Sequence, residues 1–274
     1  MTTGPTRPTD PGNGEGKGNG DDSDMGMGSD NHNHNHNHNH NDSGIGGGTD
    51  GGRRSPHRPL LVHRHPDLPR AAVLLMHGGR ADGRTPPPRL NLPALRMRPF
   101  GSAMSRAPGG RKLLLASVRY RCRGWNGPQA DAARDARRAL DELTGLAADV
   151  PVVLVGHSMG GRAALHTGGH PAVRGVVALA PWCPPGEPVS HLRDRTVVLL
   201  HDNHDRITDA EGSRLFADRA RQSGARAHAV AMPRGGHTML RGAREWHRLT
   251  VKLVTAILAG GPLPVPDEER PPPG

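Results

Sequence analysis

Aromatic side chains make up only 2% of this chain: three tryptophans, two phenylalanines and one tyrosine among 274 residues. Single-stranded nucleic acid is held by rows of stacking rings between basic residues, and that interleaving is missing, so no nucleic-acid partner is expected. Cysteine is as scarce. Cys122 and Cys183 cannot make a disulfide framework, and they fit a reducing, cytoplasmic setting. No apolar run is long enough to span a bilayer, and residues 1–52 contain no hydrophobic signal segment, so neither a membrane partner nor export by that route is expected. Lysine is nearly absent too: 33 of the 36 basic residues are arginine.

The net charge of +10 conceals a division. Residues 1–52 hold eight acids against Arg7 and Lys17, or −6, which leaves +16 for the remainder. The arginines are spread over that remainder rather than gathered in a block, as expected of a solvated basic surface. Residues 1–56 are Gly, Asp, Asn, Ser and Pro with almost nothing apolar; burial cannot offset chain entropy there, and a disordered tail is predicted. Within it, five histidines alternate with asparagine from His32 to His40. Neutral imidazoles on one side of an extended chain bind Zn, Ni or Cu, and the tract reads as adventitious Zn/Ni affinity more than as a dedicated metal site. A second low-complexity stretch, rich in proline, occupies 262–274. Between them, 57–261 has the size and apolar content of one domain.

That middle region alternates short β-branched runs with helical patterns. Strands are predicted at 60–63, 71–76, 112–120, 152–157, 173–180, 196–200 and 225–231. Helices are predicted at 94–105, from Pro128 to Gly145, after Ser158, at 210–222 and at 241–258. Alternation of this kind gives an α/β fold, a mostly parallel sheet with helices on both faces. Sites in such folds lie at the carboxyl ends of the strands.

One stretch organises the rest. The run Val152–Val155 breaks into Gly156-His157-Ser158-Met159-Gly160-Gly161, followed by helix-tolerant residues. Strand, tight turn and helix in that order are the context in which G-x-S-x-G exposes a serine nucleophile. A serine hydroxyl needs a base, and the base needs a carboxylate to orient it. His237, in Pro233-Arg234-Gly235-Gly236-His237, follows the late strand and is the candidate base. Asp205 is preferred as the acid, Asp202 remains the alternative, and Asp209 reads as a helix cap. The backbone N–H of Met159 and one from His77-Gly78-Gly79, taken as Gly79 with Arg80 as the neighbouring alternative, would hold an oxyanion. His77 itself reads as a structural loop residue.

Taken in order, HGG at 77–79, GHSMGG at 156–161, HDNHD at 201–205 and GGH at 235–237 resemble the α/β-hydrolase family, in particular its small bacterial esterase-like and dienelactone-hydrolase-like members. The likeness spans about residues 60–260. It implies an α/β-hydrolase fold and a serine hydrolase that cleaves a carboxylic ester or related acyl substrate, with no cofactor and no metal in the site. Many relatives have Gly where Asp202 stands. Many also insert a helical lid where this chain has only Cys183 to Arg195, so a minimal lid is expected. Cys122, Trp125 and Cys183 follow strand ends and are expected near the pocket, with Leu90, Leu92, Leu95, Met97 and Phe100 as one modest wall. Two other readings stay open: a non-catalytic binding protein on the same fold, and a metal-binding protein that uses the histidine tract.

Overall fold

A computed structural model describes residues 57–265. The predicted tail at 1–56, its histidine tract and the end of the proline-rich segment lie outside the described residues. Seven strands form one sheet: β1 (Leu60–Arg64), β2 (Ala71–Met76), β3 (Leu113–Val118), β4 (Val152–His157), β5 (Val173–Leu179), β6 (Thr196–Asp202) and β7 (Arg226–Met232). Their order across the sheet is β1-β3-β2-β4-β5-β6-β7. Only β1 is antiparallel to its neighbour; every other pair is parallel.

The parallel strands are continuous apolar runs because both faces of the sheet are covered. Alternate residues of β2 show this directly: Ala72, Leu74 and Met76 join the core beneath α2 (Asp131–Leu146), α3 (Met159–Thr167) and α4 (Ala210–Gln222). Val73 and Leu75 point the other way, into the core beneath α1 (Leu92–Arg106) and α5 (Ala243–Ala259). Leu263 and Val265 also pack on that second core.

Two local expectations are corrected. Pro128 does not begin α2; it lies in a separate 3₁₀ turn, Gly127–Gln129. Ala130 then adopts φ 45°, which breaks the turn from the helix, and α2 starts only at Asp131. The Asp131 carboxylate holds that corner, accepting from Asn126 Nδ2 at 2.8 Å and Arg134 at 2.7 Å. Gly145 does not end the helix either, which runs to Leu146. The second correction concerns α1. Met97 and Phe100 are buried in the core, Met97 also bordering the cleft beside α1, while Leu90 and Leu92 are exposed. The wall expected from 80–110 is therefore smaller than the composition suggested.

Candidate active site

Strand β4, at the centre of the sheet, delivers Ser158 to its carboxyl edge. The serine has φ 56° and ψ −122°, a backbone conformation that L-residues avoid and that costs about 1–3 kcal/mol where surrounding structure imposes it. The imposition comes from main-chain contact. A Cβ on Gly156 would lie 2.2 Å from the Gly160 carbonyl oxygen, and one on Gly160 would lie 2.5 Å from the carbonyl oxygens of Met76 and His77. Both positions therefore require glycine. The Ser158 N–H donates to Leu179 O at 3.0 Å, which ties the turn to β5.

The structure brings the three predicted side chains together. Ser158 Oγ lies 3.0 Å from His237 Nε2, and His237 Nδ1 lies 2.9 Å from Asp205 Oδ2. A carboxylate at Nδ1 fixes the proton there and leaves the Nε2 lone pair toward the serine. Asp205 is saturated with donors. Its Oδ1 accepts from the Ile207 N–H at 2.8 Å and the Thr208 N–H at 3.2 Å, and its Oδ2 from the Thr208 hydroxyl at 2.8 Å. Burial alone would raise the Asp205 pKa, but the hydrogen bonds from Ile207, His237 and Thr208 outweigh it and hold the carboxyl below its usual range.

Asp202 has a different place. It is the last residue of β6, and its Oδ2 accepts from the Gly236 N–H at 2.7 Å, while Oδ1 takes the His204 N–H at 2.9 Å. It clamps the loop that carries His237 and does not touch the imidazole. Gly235 and Gly236, at φ 144° and 54°, give that loop its turn. Asp209 caps α4, accepting from the Glu211 and Gly212 N–H groups as its position suggested.

Two histidines escaped the sequence reading. His157 is 1% exposed, and its Nε2–H donates to the His237 carbonyl at 2.8 Å, fixing the backbone of the candidate base from below. Burial, with the nearby His237 adding to it, pushes its pKa down to about 3, so the ring is neutral. His201 is also buried; its Nε2 lies 3.2 Å from Asp205 Oδ2 and its Nδ1 2.7 Å from Ser213 Oγ. The only sequence signal was their place at the ends of β4 and β6.

The candidate oxyanion donors are placed as follows. Met159 is the first residue of α3, so its N–H has no partner within the helix. Among the described residues neither that N–H nor the Gly79 N–H donates elsewhere, whereas the Arg80 N–H is spent on Arg123 O at 2.9 Å. A Cβ on Gly79 would meet Arg123 O and the Met159 thioether at 2.5 Å, so only glycine fits. His77 is satisfied: Nδ1–H donates to Gly78 O at 2.7 Å, and Asn91 Nδ2 lies 3.2 Å from Nε2.

Around the far side of the turn, the Arg162 guanidinium lies between the rings of Trp125 and Trp182, 3.9 and 4.3 Å from their centroids, and pairs with Glu187. Glu187 O also accepts from Arg219 at 2.7 Å. The short segment after β5 is thereby strapped down, with one 3₁₀ turn, Ser190–Leu192, and no lid helix. Cys183 is half-buried, and desolvation pushes its thiol up to about 12, which leaves it inert as a nucleophile.

Comparison with known proteins agrees with this architecture. The sequence model of the alpha/beta hydrolase family matches residues 73–271. Among curated proteins there is no match. Similar solved structures include a propionate-bound thermophilic esterase from the planctomycete Thermogutta terrifontis, 19% identical, with a TM-score of 0.54 over 73% of this chain and 88% of that one. An acetyl ester-xyloside bifunctional hydrolase from Caldicellulosiruptor lactoaceticus is 17% identical, with a TM-score of 0.55 over 74% of this chain and 89% of that one. An alpha-beta serine hydrolase homologue from Coxiella burnetii is 15% identical, with a TM-score of 0.53 over 70% and 89%. At such identities the likeness is one of fold alone. The match over residues 73–271, set on a central strand that ends in a strained serine, makes this protein a member of the alpha/beta hydrolase family.

Proposed function

We infer that the protein is a serine hydrolase of a carboxylic ester or related acyl compound, working through an acyl-enzyme on Ser158. The observation that carries this reading is the unbroken relay from Ser158 Oγ to His237 Nε2 at 3.0 Å and from His237 Nδ1 to Asp205 Oδ2 at 2.9 Å. In the first step Ser158 Oγ attacks the carbonyl carbon while Nε2 takes its proton. Asp205 stabilises the imidazolium and keeps the tautomer correct. Charge on the carbonyl oxygen is met by the free N–H groups of Met159 and Gly79, which need no reorganisation at that moment. His237 returns the proton to the leaving alcohol, and water, deprotonated by the same Nε2, releases the acid. The two fatty-acid complexes known for the Thermogutta terrifontis esterase, with propionate and butyrate, support a short acyl group here by analogy of fold.

A fluorophosphonate probe tests the reading. It should label Ser158 alone, and Ser158→Ala should abolish labelling and lower turnover by several orders of magnitude. Labelling that persists in Ser158→Ala would remove Ser158 from the role. A folded, unlabelled wild-type protein would return the non-catalytic binding reading to first place.

A further inference from the structure

A cleft of about 1390 Å³ runs between α1 and the β1–β3 edge of the sheet, roofed by Pro86, Pro87 and Pro88. Its walls are chemically one-sided. Seven arginines and three histidines line it, and no carboxylate does. Three of the arginines are engaged: Arg121 with Asp135 and Asp131 behind the cleft, Arg119 with Arg58 O at 2.7 Å, and Arg64 with Gly110 O at 3.5 Å. The other four, Arg58, Arg89, Arg98 and Arg106, are exposed and have no side-chain partner among the described residues. Four unneutralised guanidinium groups facing one hollow repel one another unless something negative lies between them.

Two further observations point to a ligand rather than to a merely solvated surface. Tyr120 lines the cleft, is 2% exposed, and its hydroxyl has no hydrogen-bond partner. Both ring nitrogens of His57, at the same rim, are likewise shielded and unpartnered. Buried polar groups left in this state cost the fold free energy, and a bound acceptor or donor would satisfy them. The cleft borders the candidate reaction centre through one residue. His77 lines it, and the next residue, Gly78, lies so close to Ser158 that a Cβ there would be 3.2 Å from Ser158 Cβ.

We propose that this cleft binds a small oligoanion, a molecule with two or more phosphate or carboxylate groups, as the non-reacting part of the substrate. Planar guanidinium groups on flexible stems suit both kinds of group, which accept paired N–H donors. Assigning the anion to the substrate rests on the hydrolase reading; the binding itself does not.

The test uses the full chain carrying Ser158→Ala, titrated calorimetrically with inorganic tripolyphosphate and, separately, with citrate. Preference between the two tells phosphate from carboxylate recognition. At least one should bind with one-to-one stoichiometry and weaken as salt is added, since the contacts are ionic. Arg98→Glu/Arg106→Glu should weaken binding about 30-fold at low ionic strength, with circular dichroism and the melting temperature reporting that the fold is kept. Arg174→Glu/Arg226→Glu makes the same charge change on β5 and β7, across the sheet, and should leave binding within about two-fold. Absence of binding by both anions, or equal loss in the two double variants, would overturn the site. The substrate assignment has its own arm in the wild-type enzyme. An ester with a carboxylate on its acyl chain or on its alcohol should be hydrolysed with a higher kcat/KM than a neutral ester of equal length, and Arg98→Glu/Arg106→Glu should erase that preference. A cleft that binds tripolyphosphate while neither anionic ester is preferred would separate the anion from the substrate.

Discussion

Acidification should unfold this protein partly through one ring. His157 is sealed beneath His237, and its pKa falls from the ordinary 6.5 to about 3 because burial penalises the charged form. In the unfolded chain the ring takes up a proton below about pH 6.5, while in the fold it stays neutral until about pH 3. The unfolded state therefore binds more protons over that interval, and stability falls as pH falls. The loss is about 1.4 kcal/mol for each pH unit, or ~3 kcal/mol on going from about pH 7.5 to about pH 4.5. That is a large share of the 5–15 kcal/mol, roughly, that holds a domain together. Other buried histidines add their own losses, so a comparison is needed to isolate this one. His157→Gln provides it: the Gln amide N–H can replace Nε2–H as donor to the His237 carbonyl, and the group no longer titrates. Urea unfolding of both proteins across that pH range should show the wild type losing ~3 kcal/mol more than His157→Gln. Parallel curves, differing in their pH dependence by less than about 0.5 kcal/mol, would refute the assignment of a neutral, buried His157.

The remaining predictions concern turnover. Asp205→Asn should reduce kcat by about 10⁴, because the imidazole loses its orienting anion. Asp202→Asn, which still offers an oxygen to the Gly236 N–H, should cost only a few-fold; the reverse ranking in folded proteins would make Asp202 the acid. Gly79→Ala should lower kcat by about 10²–10³ with KM little changed, since its Cβ displaces an oxyanion donor; unchanged kinetics would move that donor elsewhere. Along a series of neutral p-nitrophenyl esters, kcat/KM should peak at acetyl to butyryl and fall by octanoyl. Each further methylene gains up to about 0.8 kcal/mol only where it finds apolar surface, and Met97 and Phe100 are spent on the core. A maximum at dodecanoyl, below its micelle concentration, would show that residues 80–110 roof the site.

How much of this could be read beforehand depended on the range of the interaction. The strand–turn–helix at Ser158 shows within ten residues in its β-branched run and flanking glycines, although Gly160 is required by the distant backbone of Met76 and His77. The order of Asp205 and His237 behind late strands was legible for the same cause: each follows the end of its own element. Interactions between segments were not. Asp202 stayed an alternative to the preferred Asp205 until β6 proved to run through Asp202, whose carboxylate accepts from Gly236. His157 and His201 gave no periodic signal, because their partners are His237 in the loop after β7 and, for His201, Asp205 in the loop after β6 and Ser213 on α4. Pro128 carries a genuine helix-start preference, but it falls in the turn that Asn126 and Arg134 close on Asp131, where the Gly83 N–H bonds Asn126 Oδ1 from another segment. The basic cleft was invisible as well: its arginines are scattered from Arg58 to Arg121, and only the pairing of β1 with β3 beside α1 collects them.

The glycine contacts under Ser158 have a consequence for how such a chain can change over time. Gly156 touches Gly160, and Gly160 touches the backbone of Met76 and His77. Nothing in that chain of contacts is a side chain. Valines and leucines of the two cores can be exchanged for others of similar volume, at a modest cost in packing, without moving the serine. The reaction centre is thus decoupled from most of the sequence that surrounds it. Drift can proceed through the cores and the arginine-rich surface, while Gly156 and Gly160 admit almost no substitution at all.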